Sequence, residues 1–231
     1  MSDSMFFPEA GLPKRFVNRV DAGARLGRAL LDYRGTRPLV LGIPRGGVPV
    51  AAEVARALDG DLDVIVARKL GSPVSPELAV GAVTADGARY LNQEAIDMLE
   101  VPPEYLERVT KEQVAEARAR EERFRRGKPP LAVEGRVVIV VDDGLATGST
   151  MIAAARSVRA RRPKRLVIAV PVAPPETVAA MRAEGDEVVC PEMPEPFIAV
   201  GLHYQDFSQT EDEDVQRIMS EWRAPATAST T

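Results

Sequence analysis

Asp142 and Asp143 follow the run Val137-Val-Ile-Val-Val141 and precede Gly144-Leu145-Ala146-Thr147-Gly148-Ser149-Thr150. Five consecutive apolar β-branched residues predict a strand buried on both faces. Two carboxylates at the open end of such a strand are costly unless solvated, paired or bound to a ligand. Gly144 and Gly148 let the backbone turn tightly and aim N–H groups at a guest, and Thr147, Ser149 and Thr150 supply hydroxyls where a helix is predicted to begin. Exposed N–H groups, hydroxyl donors and the positive end of a helix dipole suit a phosphate monoester. Anion donors beside carboxylate acceptors are what a ribose 5-phosphate needs, with donors for its phosphate and acceptors for its 2- and 3-hydroxyls. The alternative is an ordinary strand-to-helix turn with solvated acids and a hydroxyl cap. The glycine spacing is one short of a Walker A loop, with no Lys after Gly148, and neither G-x-G-x-x-G nor G-x-S-x-G occurs in the chain.

A second anion loop is predicted at Gly42-Ile43-Pro44-Arg45-Gly46-Gly47, between a strand and a helix. Arg45 offers a planar charged fork, and Gly46-Gly47 allow close backbone approach ahead of a helix N-terminus. Standing alone it could equally be a structural turn. Arg68 and Lys69 end a predicted strand and open the Pro/Gly-rich stretch 70–77, so they are either functional cations or charges on an exposed loop.

The segment VVIVVDDGLATGST resembles the phosphoribosyl-pyrophosphate (PRPP) motif of type I phosphoribosyltransferases, and the wider pattern is similar to poorly assigned stand-alone bacterial members. The resemblance implies ribose-hydroxyl contacts at Asp142 and Asp143, with Gly144 in the same substrate-binding turn. It implies a 5-phosphate cradle at Ala146, Thr147, Gly148, Ser149 and Thr150, and a pyrophosphate loop at Pro44, Arg45, Gly46 and Gly47, where the family often holds a cis peptide. Lys69, Arg68 and Asp143 are the implied catalytic set, the two cations acting on the departing pyrophosphate as the loop over 70–77 closes. The implied reaction transfers ribose 5-phosphate from PRPP to a nitrogen acceptor, a nucleobase or related heterocycle, with inversion and release of pyrophosphate. Mg²⁺ is the implied cofactor, carried by substrate oxygens with no direct protein ligand. Ala146 stands where hypoxanthine–guanine members carry an acid, which argues against that acceptor class. Two competitors remain: a non-catalytic PRPP- or nucleotide-sensing regulator, and a phosphate-ester hydrolase using the acid pair.

The elements around these residues predict an α/β fold, a central parallel sheet with helices on both faces and a small C-terminal hood. Strands are expected at 38–42, 62–67, 78–83, 89–91, 137–141, 165–172 and 187–190, and helices at 19–33, 48–58, 93–126 broken at Pro102-Pro103, 149–161, 175–182 and 210–222. The last helix is expected to open on a Thr210/Glu213 capping box. One domain is expected over 14–223, its hood about 191–223, between a flexible N-terminus (1–13) and a polar tail (224–231). In the hood, Phe197, His203, Tyr204, Phe207 and Gln209 either select a flat acceptor or pack the C-terminal segment onto the core.

Thirty Lys+Arg against 34 Asp+Glu give a net charge of −4, so no basic field recruits nucleic acid. One cysteine, Cys190, and one histidine, His203, exclude a disulfide framework and thiolate or multi-histidine zinc sites. The acids at 211–214 suit the first turn of a helix better than a metal site. The basic run Arg118–Arg126 suits a helix C-terminus, with a surface for a subunit partner or RNA as its alternative. No apolar run approaches the roughly 20 residues of a membrane span, and the N-terminus lacks the marks of a signal peptide. A cytoplasmic protein is therefore expected, acting on PRPP and a nitrogen heterocycle without nucleic acid or membrane, with a homodimer left open.

Overall fold

The computed structural model describes residues 15–75 and 78–222. The predicted flexible N-terminus, the tail and positions 76–77 of the predicted loop lie outside the described residues. The first helix, α1 (Arg19–Ala29), leads through a short 3₁₀ turn to β1 (Leu39–Gly42), α2 (Gly47–Ala57) and β2 (Asp61–Val64). Then come β3 (Ala67–Gly71), β4 (Ala79–Thr84), β5 (Arg89–Leu91), α3 (Gln93–Met98) and α4 (Pro103–Arg125). The chain continues through β6 (Val137–Val141), α5 (Ser149–Ala160), β7 (Arg165–Ala169), α6 (Pro175–Met181), β8 (Glu187–Val189) and α7 (Asp212–Glu221).

Five strands form a parallel sheet in the order β2-β1-β6-β7-β8. Alternation along its strands divides the core in two. Leu39, Leu41, Val138, Val140, Leu166 and Ile168 pack with Met151, Ala155 and Val158 of α5. Val40, Ile139, Val141, Val167 and Ala169 face the other way, against Leu26 of α1 and Val50, Ala51 and Val54 of α2. Both faces of β6 are therefore covered, which accounts for its unbroken apolar sequence. Each fully buried Val or Ile there contributes about 1.5–3 kcal/mol of transfer free energy.

The order also places a switch point. From β1 the chain crosses by α2 to β2 on one side, while β6 lies on the other and its own helix, α5, covers the opposite face. The carboxyl ends of β1 and β6 thus form the switch point, whose crevice is where open α/β sheets bind ligands.

Several expectations need correction. Arg68 and Lys69 do not open a loop; they lie inside β3, paired with Val83 and Ala82 in a separate antiparallel sheet, β3-β4-β5. The loop begins at Ser72, whose hydroxyl accepts from Ser75 N and donates to Ser75 O. The expected strand 62–67 ends at Val64, and the one expected over 165–172 ends at Ala169. The capping box of α7 sits one residue later than predicted, with Glu211 and Asp214 exchanging backbone contacts in place of Thr210 and Glu213.

Four of the five arginines in the basic run are engaged within the chain. Arg118 donates to Ala85 O, Arg120 and Arg123 to Asp212, and Arg125 to Asp63, Glu121 and Val64 O. Asp212 therefore ties α7 to α4, and no group of three or more metal-capable side chains occurs among the described residues. No helix there is long and apolar enough to cross a membrane.

Candidate active site

The register pairs Gly42 with Val141, so β1 and β6 end side by side. Ile43 N donates to Val141 O (2.9 Å) and Gly47 N to Ile43 O (3.0 Å), which zips the first loop onto the end of β6. A Cβ on Gly46 would lie 2.0 Å from Asp143 Oδ2, and one on Gly47 2.8 Å from Val141 O and 2.9 Å from Asp142 Cα. Only glycine permits this approach, so the Gly-Gly pair presses the predicted pyrophosphate loop directly onto the predicted ribose acids. The Pro44–Arg45 peptide between them is cis, as the family resemblance anticipates. Arg45 is half-buried and pairs with Glu211 at the start of α7 (2.7 Å).

The segment expected to hold the 5-phosphate runs into the start of α5. Gly148 caps α5 in the left-handed region (φ 76°), and the first helical hydrogen bond runs from Ile152 N to Gly148 O. The preceding amides of Ser149, Thr150 and Met151 are left free of intrahelical partners. Thr177 Oγ1 donates to Ala146 O (2.7 Å) and Leu145 N to Val172 O (3.0 Å), which fixes the loop from beneath. Thr147 is exposed and Ser149 and Thr150 half-buried, and their hydroxyls take no protein partner among the described residues.

Electrostatically the acid pair is under-compensated. Asp142 Oδ1 accepts from Asp143 N (2.9 Å). Burial, and then the charge of Asp143, push its carboxyl well above the ordinary carboxylate range, against the opposing Asp143 amide and Arg19. Burial also raises Asp143, opposed by the hydrogen bond and charge of Arg19. Two carboxylates thus share one guanidinium, Arg19 Nε to Asp143 Oδ2 at 2.8 Å. That donor set fits a hard cation carried in on substrate oxygens, and ribose hydroxyls as hydrogen-bond donors.

Arg19 escaped the sequence reading because 124 positions separate it from Asp143. The available signal was its place in the first turn of α1, where a cation opposes the helix dipole. Tyr204 also turns out to belong here: its hydroxyl donates to Asp143 O (2.6 Å), and its ring packs against Phe16 and Phe207. Burial, then the negative charge of Asp143, raise the phenol far above its usual value, so it remains a donor. Tyr204→Phe strands a buried carbonyl and is expected to cost about 1–3 kcal/mol, read as a lower urea midpoint at unchanged m-value.

The other candidates are placed as follows. Lys69 is exposed on β3, and Arg68 donates to Gln113 of α4 (3.0 Å). His203 stacks on Phe197 (5.1 Å, 20°), and burial followed by the charge of Arg15 lowers its pKa, leaving it neutral near pH 7. Gln209 donates to Glu211. Burial pushes the Cys190 thiol up to about 11, which makes it a poor nucleophile.

Residues 18–206 match the family profile described as a phosphoribosyl transferase domain. Two Mycobacterium tuberculosis proteins, from strains H37Rv and CDC 1551, carry provisional names as phosphoribosyl transferases. Each is 45% identical over 202 residues, 87% of this chain but 46% of its own length. The chain thus spans about half the length of these curated relatives. The solved structure of TT1426 from Thermus thermophilus is 47% identical with a TM-score of 0.76, covering 90% of this chain and 99% of that one. A Neisseria gonorrhoeae protein solved with bound ppGpp, at 12% identity and TM-score 0.50 over 87% of this chain and 91% of that one, shares the fold. The profile match, the close relatives and the paired loops at the β1/β6 crevice agree: this chain belongs to the type I phosphoribosyltransferase family.

Proposed function

We propose that the chain transfers ribose 5-phosphate from PRPP to a ring nitrogen of a heterocycle, releasing pyrophosphate. The observation carrying this reading is the contact of Gly46-Gly47 with Asp142-Asp143, which puts an anion loop, two hydroxyl acceptors and a phosphate-ready helix start around one crevice. The amides after Gly148, with the hydroxyls of Thr147, Ser149 and Thr150, hold the 5-phosphate. Asp142 and Asp143 accept from the 2- and 3-hydroxyls and so set the sugar's orientation. The backbone at Gly46-Gly47 and the Arg45 guanidinium receive the pyrophosphate, with Glu211 giving up Arg45 as they do.

In the reaction the acceptor nitrogen's electron pair forms the new bond to the anomeric carbon. The bond from that carbon to the pyrophosphate oxygen breaks with its electrons, and the acceptor's proton passes to solvent. Charge thus grows on the departing oxygens, where fixed donors act most strongly. Mg²⁺, when bound, would supply positive charge against that growing on the pyrophosphate. The protein's own part is to position the sugar and receive the leaving group. Ala146 offers no acid for a purine N7, which supports an acceptor outside the hypoxanthine–guanine class.

Lys69 and Arg68 complete the proposal as cations toward the leaving group, Lys69 the freer because Arg68 is engaged by Gln113. Lys69→Ala is expected to lower kcat by about 10–100-fold while PRPP affinity changes less than about threefold, since the contact strengthens as charge develops. Equal losses in both would remove Lys69 from the role.

The test is a screen of purines, pyrimidines and other nitrogen heterocycles for PRPP-dependent pyrophosphate formation with Mg²⁺ present. One productive acceptor supports the transferase. Tight PRPP binding with no acceptor would favour a sensor, and inorganic phosphate release from generic esters a hydrolase.

A further inference from the structure

We infer that Arg19 is a positioning residue for Asp143, held in place by the 204–208 segment, so that this segment serves the ribose site. The inference rests on the transferase reading above. Arg19 spends its donors in two directions: Nε to Asp143 Oδ2 (2.8 Å) and Nη1 to Ser208 O (2.7 Å). Its guanidinium lies 4.0 Å from the centre of the Phe207 ring, and the side chain is 13% exposed. The Phe207 ring packs against Tyr204 (4.9 Å between centres), and Tyr204 donates to the Asp143 carbonyl. One segment therefore grips Asp143 twice, at its backbone through Tyr204 and at its carboxylate through Arg19.

The same carboxylate oxygen is crowded by Gly46, whose missing Cβ would sit 2.0 Å from Oδ2 and 3.0 Å from Arg19 Nε. Asp143 Oδ2 thus meets both the anion loop and a guanidinium that is itself stacked and tethered. A phosphate ligand would keep its donors free; Arg19 has Nε and Nη1 engaged and one face covered. Nor does it serve α1, since a cation in the first turn opposes the helix dipole. A fixed counter-ion for one member of an acid pair orients that member and opposes the rise that burial imposes on its carboxyl. The residues around Phe207, expected either to select the acceptor or to pack the C-terminal segment onto the core, act in this way on the sugar.

The groups facing Asp143 are Asp142 on its own strand end, Arg19 from α1 and Tyr204 from the C-terminal segment. Only Arg19 brings a positive charge, so removing it moves Asp143 protonation to higher pH. The experiment is calorimetry of Mg²⁺-PRPP and of inorganic pyrophosphate across pH, on the parent, Arg19→Gln and Arg19→Lys. Arg19→Gln is expected to weaken PRPP roughly ten- to hundredfold, to shift the acid limb of PRPP affinity upward, and to leave pyrophosphate affinity within about twofold. Arg19→Lys should restore the limb but not the full affinity, because an ammonium is a point charge without a planar fork. Unchanged PRPP affinity and limb in Arg19→Gln would overturn the inference, as would equal losses of PRPP and pyrophosphate, the mark of a direct phosphate ligand. A parent protein that binds no PRPP would sink the transferase reading itself, and the inference with it. Should Arg19→Gln fail to fold, Phe207→Leu, which removes only the stacking, should show a smaller change of the same sign; no change there overturns the inference.

Discussion

A protein carrying both Asp142→Asn and Asp143→Asn is expected to fold, to unfold no earlier than its parent, and to lose at least about 100-fold in PRPP affinity, two or more hydrogen bonds to charged acceptors being removed. The stability half follows from electrostatics. Burial raises both carboxyls above the ordinary range, and the charge of Asp143 raises Asp142 further, with one guanidinium beside the pair. Their protons are held more tightly folded than unfolded. Native stability therefore falls as pH rises from the ordinary carboxylate value of about 4 through the folded values, and ionising the pair is a burden on the fold. Asparagine keeps the shape and the acceptor oxygens for Asp143 N and Arg19 Nε while discarding the charge. The variant should show a flatter dependence of stability on pH across that window. The parent should recover the burden on binding: with PRPP at 100 times its Kd, linkage adds about 2.7 kcal/mol, a rise of several degrees in Tm that the variant lacks. Calorimetry in Mg²⁺ decides the binding half, and unchanged affinity would rule out the ribose role. A large fall in Tm without ligand would mean that the acids are structural.

The chain announces the site more plainly than the parts that support it. The acid pair, the Thr147-Gly148 turn and the Gly46-Gly47 loop each lie within one short segment at the end of a strand, where local chemistry and local geometry coincide. The central strands were legible because burial on both faces leaves β6 with no polar position. What escaped depends on distant partners. Arg68-Lys69-Leu70-Gly71 has neither alternation nor β-branching, and becomes a strand through its ladder to Val83 and Ala82. Two overlapping four-residue windows could have capped α7. The later one has Glu211 available to Arg45 and puts Asp212 against Arg120 and Arg123, contacts invisible along the chain. Arg19 reads as one polar position among several on α1 until the fold brings it to Asp143.

The second large effect is expected from a single methyl group. Gly46 has φ −63° and ψ −31°, an ordinary helical backbone that alanine adopts without strain. By the chain's own preferences Gly46→Ala should stabilise the protein by about 0.4–1 kcal/mol. The new Cβ, however, would lie 2.0 Å from Asp143 Oδ2 and 2.7 Å from its Cγ. Either the carboxylate turns away, breaking its bond to Arg19, or the 43–47 loop lifts off β6; both displace Asp143 relative to the 43–47 loop. A shift of about an ångström at such a site costs on the order of 100-fold in function, and the overpacking itself about 1–3 kcal/mol in stability. A double-mutant cycle isolates the cause. In an Asp143→Ala background the obstructing carboxylate is gone, so Gly46→Ala should become neutral or stabilising, giving a coupling of the full overpacking cost measured in denaturant. If Gly46→Ala costs the same in both backgrounds, the methyl is colliding with something other than Asp143. The close seating of the anion loop on the acid pair, on which the proposed chemistry depends, would then be wrong.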